Sequence, residues 1–587
     1  MKTYQLLKTK NIIFLVTALI FTSCTKLDEK VLDEVLGNNA QSPAGALAAA
    51  YDRLGDGTFV DHGAVFSLQE YTTDEAILAT RGSDWGDGGK WRSMHEFTWA
   101  SDNPIVTDNW NMLTNGITRS LTAIKQVTES SIPQRTLFLA EAKGLLAFYT
   151  YTTLDLFGQA PYRDPMDEKA PLEMKQAATE IDNLILQVEA LIPDLATLGQ
   201  QSTHNGRFTK EAAYGLLANM YLNRAVFKDR YAASFNFNEK SVNTSETDMD
   251  KVISYTSLLI NSSKFSLLSN YFDNFAIKNS GGSELIFVVT QKIDYIHNGS
   301  NSFAYVCVER NQKPSPLNRG TNAACISPEF YASWDGNHED PRFERKYQYA
   351  DGTWFMNNGP GSVPATDLVP NSSPGVPWFH FNRGIMVGQQ YGPKLTSTNT
   401  FEMTSDGRIK VSELVMEKST STKMDFTPAL NFSKPTQAVF AQNEINRGAR
   451  CFKYEFDPEE GNGSSNVDIP LIRLGAIYTM RAEAYFRKGL TTEALADINR
   501  LRTSRTREAL YGNAPGVAIP SLNEAILYKE IAFETYWELL RRPQMIRFGK
   551  FEQPFSAKPT TQPFRRIFPI PQATLDVTKS IKQNQGY

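Results

Sequence analysis

The stretch that decides the fold is Tyr478-Thr479-Met480-Arg481-Ala482-Glu483-Ala484-Tyr485-Phe486-Arg487-Lys488-Gly489-Leu490-Thr491-Thr492-Glu493-Ala494-Leu495-Ala496-Asp497-Ile498. Tyr478, Tyr485, Gly489, Ala494 and Ile498 stand at spacings of 7, 4, 5 and 4. Those are the intervals of the bulky, Tyr, Gly, Ala and Phe positions of a tetratricopeptide (TPR) repeat. Gly489 permits a tight turn, Ala494 is small where the second helix crosses the first, and Tyr485 and Ile498 fill the seam. One such hairpin cannot bury its own apolar face, so stacked neighbours are implied. A second, weaker unit is Ala218 and Tyr221 followed by Ala225, its turn expanded by residues 228–248.

Working outward, helical spacing governs both ends of the chain. Over residues 108–126 the apolar positions Trp110, Leu113, Ile117, Leu121 and Ile124 recur on one face. The run at 137–157 stops at Gly158 with Pro161 just beyond, the expected helix stop. Residues 181–195 and 209–226 repeat the pattern, and it returns at Ile469 and holds, with loops, to about Lys550. Between about 270 and 460 Asn, Gly, Ser and Pro are frequent, with short strand-like runs such as Leu285-Ile286-Phe287-Val288-Val289. The fold class expected is mainly α: a TPR-like helical-pair scaffold with an irregular, loop-rich insertion containing short strands. A single domain over 24–587 is expected, with scaffold at about 40–270 and 469–550, insertion at about 270–468, and a tail, 551–587, packed on the scaffold.

Composition excludes several functions. Across 587 residues the net charge is -4, with no basic excess to suit nucleic acid. Cys307, Cys325 and Cys451 are an odd number, so at most one internal disulfide is possible. No CxxC or HExxH occurs and the six histidines are scattered, which argues against a zinc site. The run Asp335-Gly336-Asn337-His338-Glu339-Asp340 has oxygen ligands suited to calcium but lacks the EF-hand spacing, so it reads as a solvated turn. No cofactor is expected.

The N-terminus reads as an export signal. Lys2, Lys8 and Lys10 precede an apolar run at 12–21. As a helix, ten residues rise only about 15 Å, half a bilayer core, so this is a signal-peptide core rather than a span. Phe21-Thr22-Ser23-Cys24 resembles a lipobox, with Ser23 where Gly or Ala is usual. Residues 1–23 would be removed and Cys24 acylated, anchoring the chain to a membrane.

Five motifs in order resemble the SusD/RagB family. They are Ala140-Glu141-Ala142-Lys143 through Leu156-Phe157-Gly158-Gln159-Ala160-Pro161; Gly206-Arg207-Phe208-Thr209-Lys210 before Ala213-Tyr214-Gly215-Leu216-Leu217-Ala218; Ile472-Arg473-Leu474 leading to Asn499-Arg500-Leu501-Arg502; the set Glu530, Glu534, Glu538, Arg541, Arg547, Phe548 and Gly549; and Phe568-Pro569-Ile570-Pro571 with Gln583-Asn584-Gln585-Gly586-Tyr587. Departures fall at Leu146, Ile531, Leu539 and Gln544, where Arg, Arg, Gly and Asp are common. The resemblance implies a surface lipoprotein of the outer membrane that binds an oligosaccharide without altering it. It also implies a partner, a SusC-like TonB-dependent transporter over which the protein closes as a lid. Peptide binding, glycoside hydrolysis and a plain TPR scaffold are the alternatives. Against hydrolysis, no acid pair sits in a hydrolase motif. Against the plain scaffold stands the long aromatic insertion. The acids and arginines of the fourth motif read as structural pairing rather than as a site.

Sugars bind by stacking on rings while planar polar groups read hydroxyls. Aromatics make up 11 % of the chain, and two regions outside the helices concentrate them. The first holds Asp74 and Asp84 as hydroxyl acceptors with Trp85 and Trp91 in a Gly/Asp-rich loop. The second, in the insertion, offers Trp378, Arg383 and Tyr391. Trp110 and Trp537 are expected in the core, and Trp99 is undecided.

Overall fold

The computed structural model describes residues 42–167, 169–292, 301–316, 318–368, 375, 377–434, 436–458 and 465–587. The signal peptide and Cys24 lie outside the described residues.

Ten helices build the frame: α1 (Pro43–Arg53), α2 (Pro104–Thr128), α3 (Arg135–Phe157), α4 (Ala177–Leu191), α5 (Lys210–Lys228), α6 (Asp248–Ile260), α7 (Leu474–Arg487), α8 (Thr491–Ser504), α9 (Glu524–Thr535) and α10 (Arg541–Arg547). Local chemistry sets their ends. Asn103 caps α2, accepting from Ile105 N, with Pro104 in the first turn. Thr247 and Asp250 form a reciprocal capping box on α6. Gly158 ends α3 in the left-handed region at φ 70°.

The helices pack largely in chain order, α2 on α3, α4 on α5, α5 on α6, α6 on α7 and α7 on α8. The two TPR-like units are thus adjacent hairpins, α5/α6 and α7/α8. Gly489 turns the second at φ 77°, and Ala494 and Ile498 are fully buried in its seam. Close approach of α2 and α3 needs Gly116, where a Cβ would stand 2.5 Å from Tyr149. Gly144 admits Phe208 in the same way.

Two element assignments change. Ile469–Arg473 is a strand, antiparallel to Leu285–Val289, so the helix begins only at Leu474. The last helical stretch breaks at 536–540, where Trp537 and Leu539 take φ of 59° and 66°. Trp537 is therefore a loop residue, although it is core at 1 % exposure. Trp110 and Trp99 are core as well.

The insertion is more ordered than its composition suggests. Among the described residues its sheets have two or three strands each. They enclose a second apolar cluster that includes Phe355, Phe379, Phe381, Met416 and Phe426. Two pairings stitch it to the early chain: Ile77–Leu78 to Ala324–Cys325, and Thr80–Arg81 in parallel to Val439–Phe440. The tail lies on α3 and its surroundings, Phe568 N donating to Leu156 O at 2.7 Å and Trp99 Nε1 donating to the Tyr587 hydroxyl at 2.8 Å. Cys307, Cys325 and Cys451 are buried and unbonded to one another.

The fourth motif is a buried charge network. Glu534 accepts from Arg473 and Arg505, each at 2.7 Å, and Glu530 accepts from Arg502 at 2.6 Å and Arg342 at 3.0 Å. Glu538 bonds Arg473 and Lys453 at 2.6 Å. Arg541 turns instead to Asp74, and Arg547 to Glu483. Burial alone would raise the Glu534 carboxyl, but Arg505, Arg473 and Arg342 outweigh it and hold it at about 2. Asp340 belongs to this network too, clasped by Arg342 at 2.8 Å and 5 % exposed. The turn expected to be solvated therefore ends in a buried ion pair.

Candidate ligand-binding site

The loop at 82–91 leaves the Thr80–Arg81 strand and is built on a buried guanidinium. Arg81 donates to the carbonyls of Ala323, Ile445 and Arg447 and lies 4.7 Å from the Phe440 ring. Three carbonyls from two distant segments fix where the loop departs. Three of its four Gly residues, Gly82, Gly88 and Gly89, take positive φ.

Trp85 takes positive φ as well, 57°, which a bulky residue adopts only under constraint. The constraint is visible. Its Nε1 donates to Thr321 O at 3.1 Å, and its carbonyl accepts from Thr80 Oγ1 at 3.3 Å. Its ring meets Trp91 edge-on at 5.8 Å and His62 at 5.7 Å, and His62 and Trp91 are 5.3 Å apart. Trp91 is 8 % exposed, with Nε1 donating to Asp87 at 2.7 Å, and it backs Trp85 from below. Burial lowers the His62 pKa, keeping the imidazole neutral within this trio. Trp85 itself is half-buried, packed against the main core without being closed off from solvent. Beside it, Asp84 is ion-paired with Arg310 at 2.6 Å, both side chains partly exposed. Lys90 rides 4.8 Å from the Trp91 ring centre. A flat ring with a carboxylate–guanidinium pair next to it is a surface that can stack a sugar and read its hydroxyls.

The structure thus brings together Asp84, Trp85 and Trp91. Asp74 is elsewhere and occupied, forked by Arg541 at 2.6 and 2.7 Å with the Tyr528 hydroxyl at 3.1 Å. Trp378 was expected on a loop surface but is 3 % exposed inside the insertion core, which needs its volume. Arg383, 5 % exposed, donates to Phe275 O at 3.0 Å and to Lys453 O, and so ties the two ends of the insertion together. Tyr391 is half-buried, its backbone N donating to Asn357 Oδ1 at 2.8 Å and its strand paired with Ile409–Glu413. Sequence reasoning missed His62, Arg310 and Thr321. Each reaches Trp85 or Asp84 from a remote part of the chain, and no local pattern marks them.

A cavity of about 750 Å³ opens elsewhere, between Leu47 and Tyr51 of α1, Phe138, Arg207, Val288 and Val289. None of the candidate residues lines it. Among the described residues no group of three or more His, Cys, Asp or Glu is placed to hold a metal, and no helix is long and apolar enough to cross a membrane.

The architecture is a frame of stacked helical pairs holding an aromatic loop against a small-sheet insertion. The model of the SusD family matches residues 283–562. The "Starch-binding protein SusD" of Bacteroides thetaiotaomicron is 24 % identical over 547 residues, covering 89 % of this chain and 85 % of that protein. Among solved structures, a SusD homolog from Bacteroides thetaiotaomicron superposes with TM-score 0.62 at 17 % identity, covering 94 % of this chain and 97 % of that one. The surface glycan-binding protein A of the same species, in complex with laminarihexaose, gives 0.58 at 16 %, covering 92 % and 98 %. At such identity these structures establish the fold. Residues 283–562 thus match the SusD family model, and the chain is SusD-like in sequence and fold.

Proposed function

We propose that this protein binds an oligosaccharide at the exposed face of Trp85 and passes it, unaltered, to a SusC-like TonB-dependent transporter over which it closes as a lid. Acylation at Cys24 tethers it to the outer-membrane surface. A starch-binding relative and a laminarihexaose-bound structural neighbour support a glycan as ligand. The observation that carries the site is Trp85, held in the left-handed region and pinned by Thr321, with the Asp84–Arg310 pair alongside. Backbone strain of this kind collects where a side chain must be aimed. Trp91 and Tyr391 are flanking positions, Trp91 as support beneath Trp85 and Tyr391 as a separate contact from the insertion.

The test is calorimetry against starch-type and laminarin-type oligosaccharides with wild type, Trp85→Ala and Tyr391→Ala. Trp85→Ala should weaken the detected ligand about five- to thirtyfold, since one stacked ring contributes ~1–2 kcal/mol. Unchanged affinity would remove the site. New reducing ends appearing in the mixture over time would instead make the protein a hydrolase.

A further inference from the structure

Two carboxyls that no sequence motif singled out, Glu70 and Glu75, lie wholly inside the molecule, each 0 % exposed. Each caps a backbone N–H of the break between α9 and α10. Glu70 Oε1 accepts from Leu539 N at 2.7 Å, and Glu75 Oε2 accepts from Trp537 N at 3.1 Å. Those are the two residues of the break that take positive φ. The other oxygen of each, Glu70 Oε2 and Glu75 Oε1, is buried without a hydrogen-bond partner, and the two carboxyls are close enough for each to act on the other's charge.

The nearby cations are already engaged. Arg541 forks Asp74 and stands 3.4 Å from Glu75 Oε1. Lys453 bonds Glu538 at 2.6 Å and Tyr536 O at 2.5 Å. On their own segment the pair faces Tyr71 and Asp74. From the strand packed above come Cys451, Lys453 and Tyr454, and from the helix side Tyr528. Counting charges, Arg541 and Lys453 balance Asp74 and Glu538, which leaves Glu70 and Glu75 with no cation of their own. Two uncompensated carboxylates in contact inside a protein cannot both ionise.

We propose that Glu70 and Glu75 share a proton at neutral pH and act as a proton-operated latch on the Trp537–Leu539 turn. Glu70 carries the proton and donates it to Glu75, which leaves the remaining oxygens free to cap the two N–H groups. Burial, with the neighbouring carboxylate second, raises Glu70 well above its ordinary value, and burial raises Glu75 too. Both folded values exceed the unfolded one, so the latch's contribution is complete below about 4.5 and is lost as pH rises above it. The same segment continues into the strands that launch the Trp85 loop.

Infrared difference spectra at neutral pH, wild type minus Glu70→Gln, test the proton directly. A protonated-carboxyl band present in wild type and missing in the variant is expected. The Gln amide donates to Glu75 as the acid would, so the variant should keep the wild-type fold. Melting temperatures from about pH 5 to pH 9 provide the second readout, with the wild type falling more steeply on the alkaline side than Glu70→Gln. Parallel curves, or no protonated band in the wild type even if the variant fails to fold, would overturn the proposal. Neither readout depends on ligand, so the outcome is separable from that of the glycan test.

Discussion

Holding a tryptophan at positive φ costs about 1–2 kcal/mol, and Trp85 bears that cost at a half-exposed position. Trp378, by contrast, sits in an ordinary core position at 3 % exposure. The two should respond oppositely. Trp85→Ala is expected to lose ligand at a smaller stability cost, since Trp85 is only half-buried. Trp378→Ala should destabilise by about 3–5 kcal/mol through the cavity it leaves, with affinity preserved in whatever fraction stays folded. Denaturant unfolding and calorimetry on both variants check this pair. From sequence the two residues look alike, each a tryptophan amid Gly, Pro and polar residues. What separates them is a layer of aromatics drawn from residues 355–426, which composition could not announce.

At the scale of elements, the readable parts were those fixed by short-range geometry. Gly158 and Gly489 end their helices at positive φ where the spacing required it. The α7/α8 hairpin follows the intervals read from Tyr478 to Ile498. What could not be read was the non-local pairing. Ile469–Arg473 looks like the first turn of a helix until Leu285–Val289 arrives as its strand partner. The Glu530, Glu534 and Glu538 series read as structural, but its partners Arg342, Arg473 and Arg505 lie on other elements. The departure at Leu539 also gains a meaning: its φ of 66° is one that Gly adopts without steric cost, and in this chain the Glu70 cap holds it. Helix crossing gives the sharpest test at this scale. Gly116→Ala drives a methyl into the Tyr149 ring and should cost about 1–3 kcal/mol in chemical denaturation.

For the molecule as a whole, buried ion pairs make stability depend on acid. Glu483 is fully enclosed, which alone would raise its carboxyl, yet Arg547 and Arg487 bring it down to about 2. A depressed folded value means the contribution is intact above the ordinary 4.5 and is lost as pH falls through about 2. Glu483 and Glu534 should each contribute about 3 kcal/mol over that window. Melting temperature should therefore drop steeply below pH 4, and Glu483→Gln should flatten the drop while lowering stability at neutral pH by about 3–5 kcal/mol, because Arg547 is left unpaired.

The ties between the first and last thirds have a kinetic price as well. Asp74 meets Arg541, Glu75 meets Trp537, and Trp99 meets Tyr587, each pair separated by more than four hundred residues. Contacts of such high contact order form late and slowly. A fragment limited to 283–562 would lack the partners that complete its interior and should stay collapsed but unlocked. During biogenesis the early helices must wait, with apolar faces uncovered, for segments synthesised long after them, which makes this architecture dependent on holding chaperones until the chain is whole.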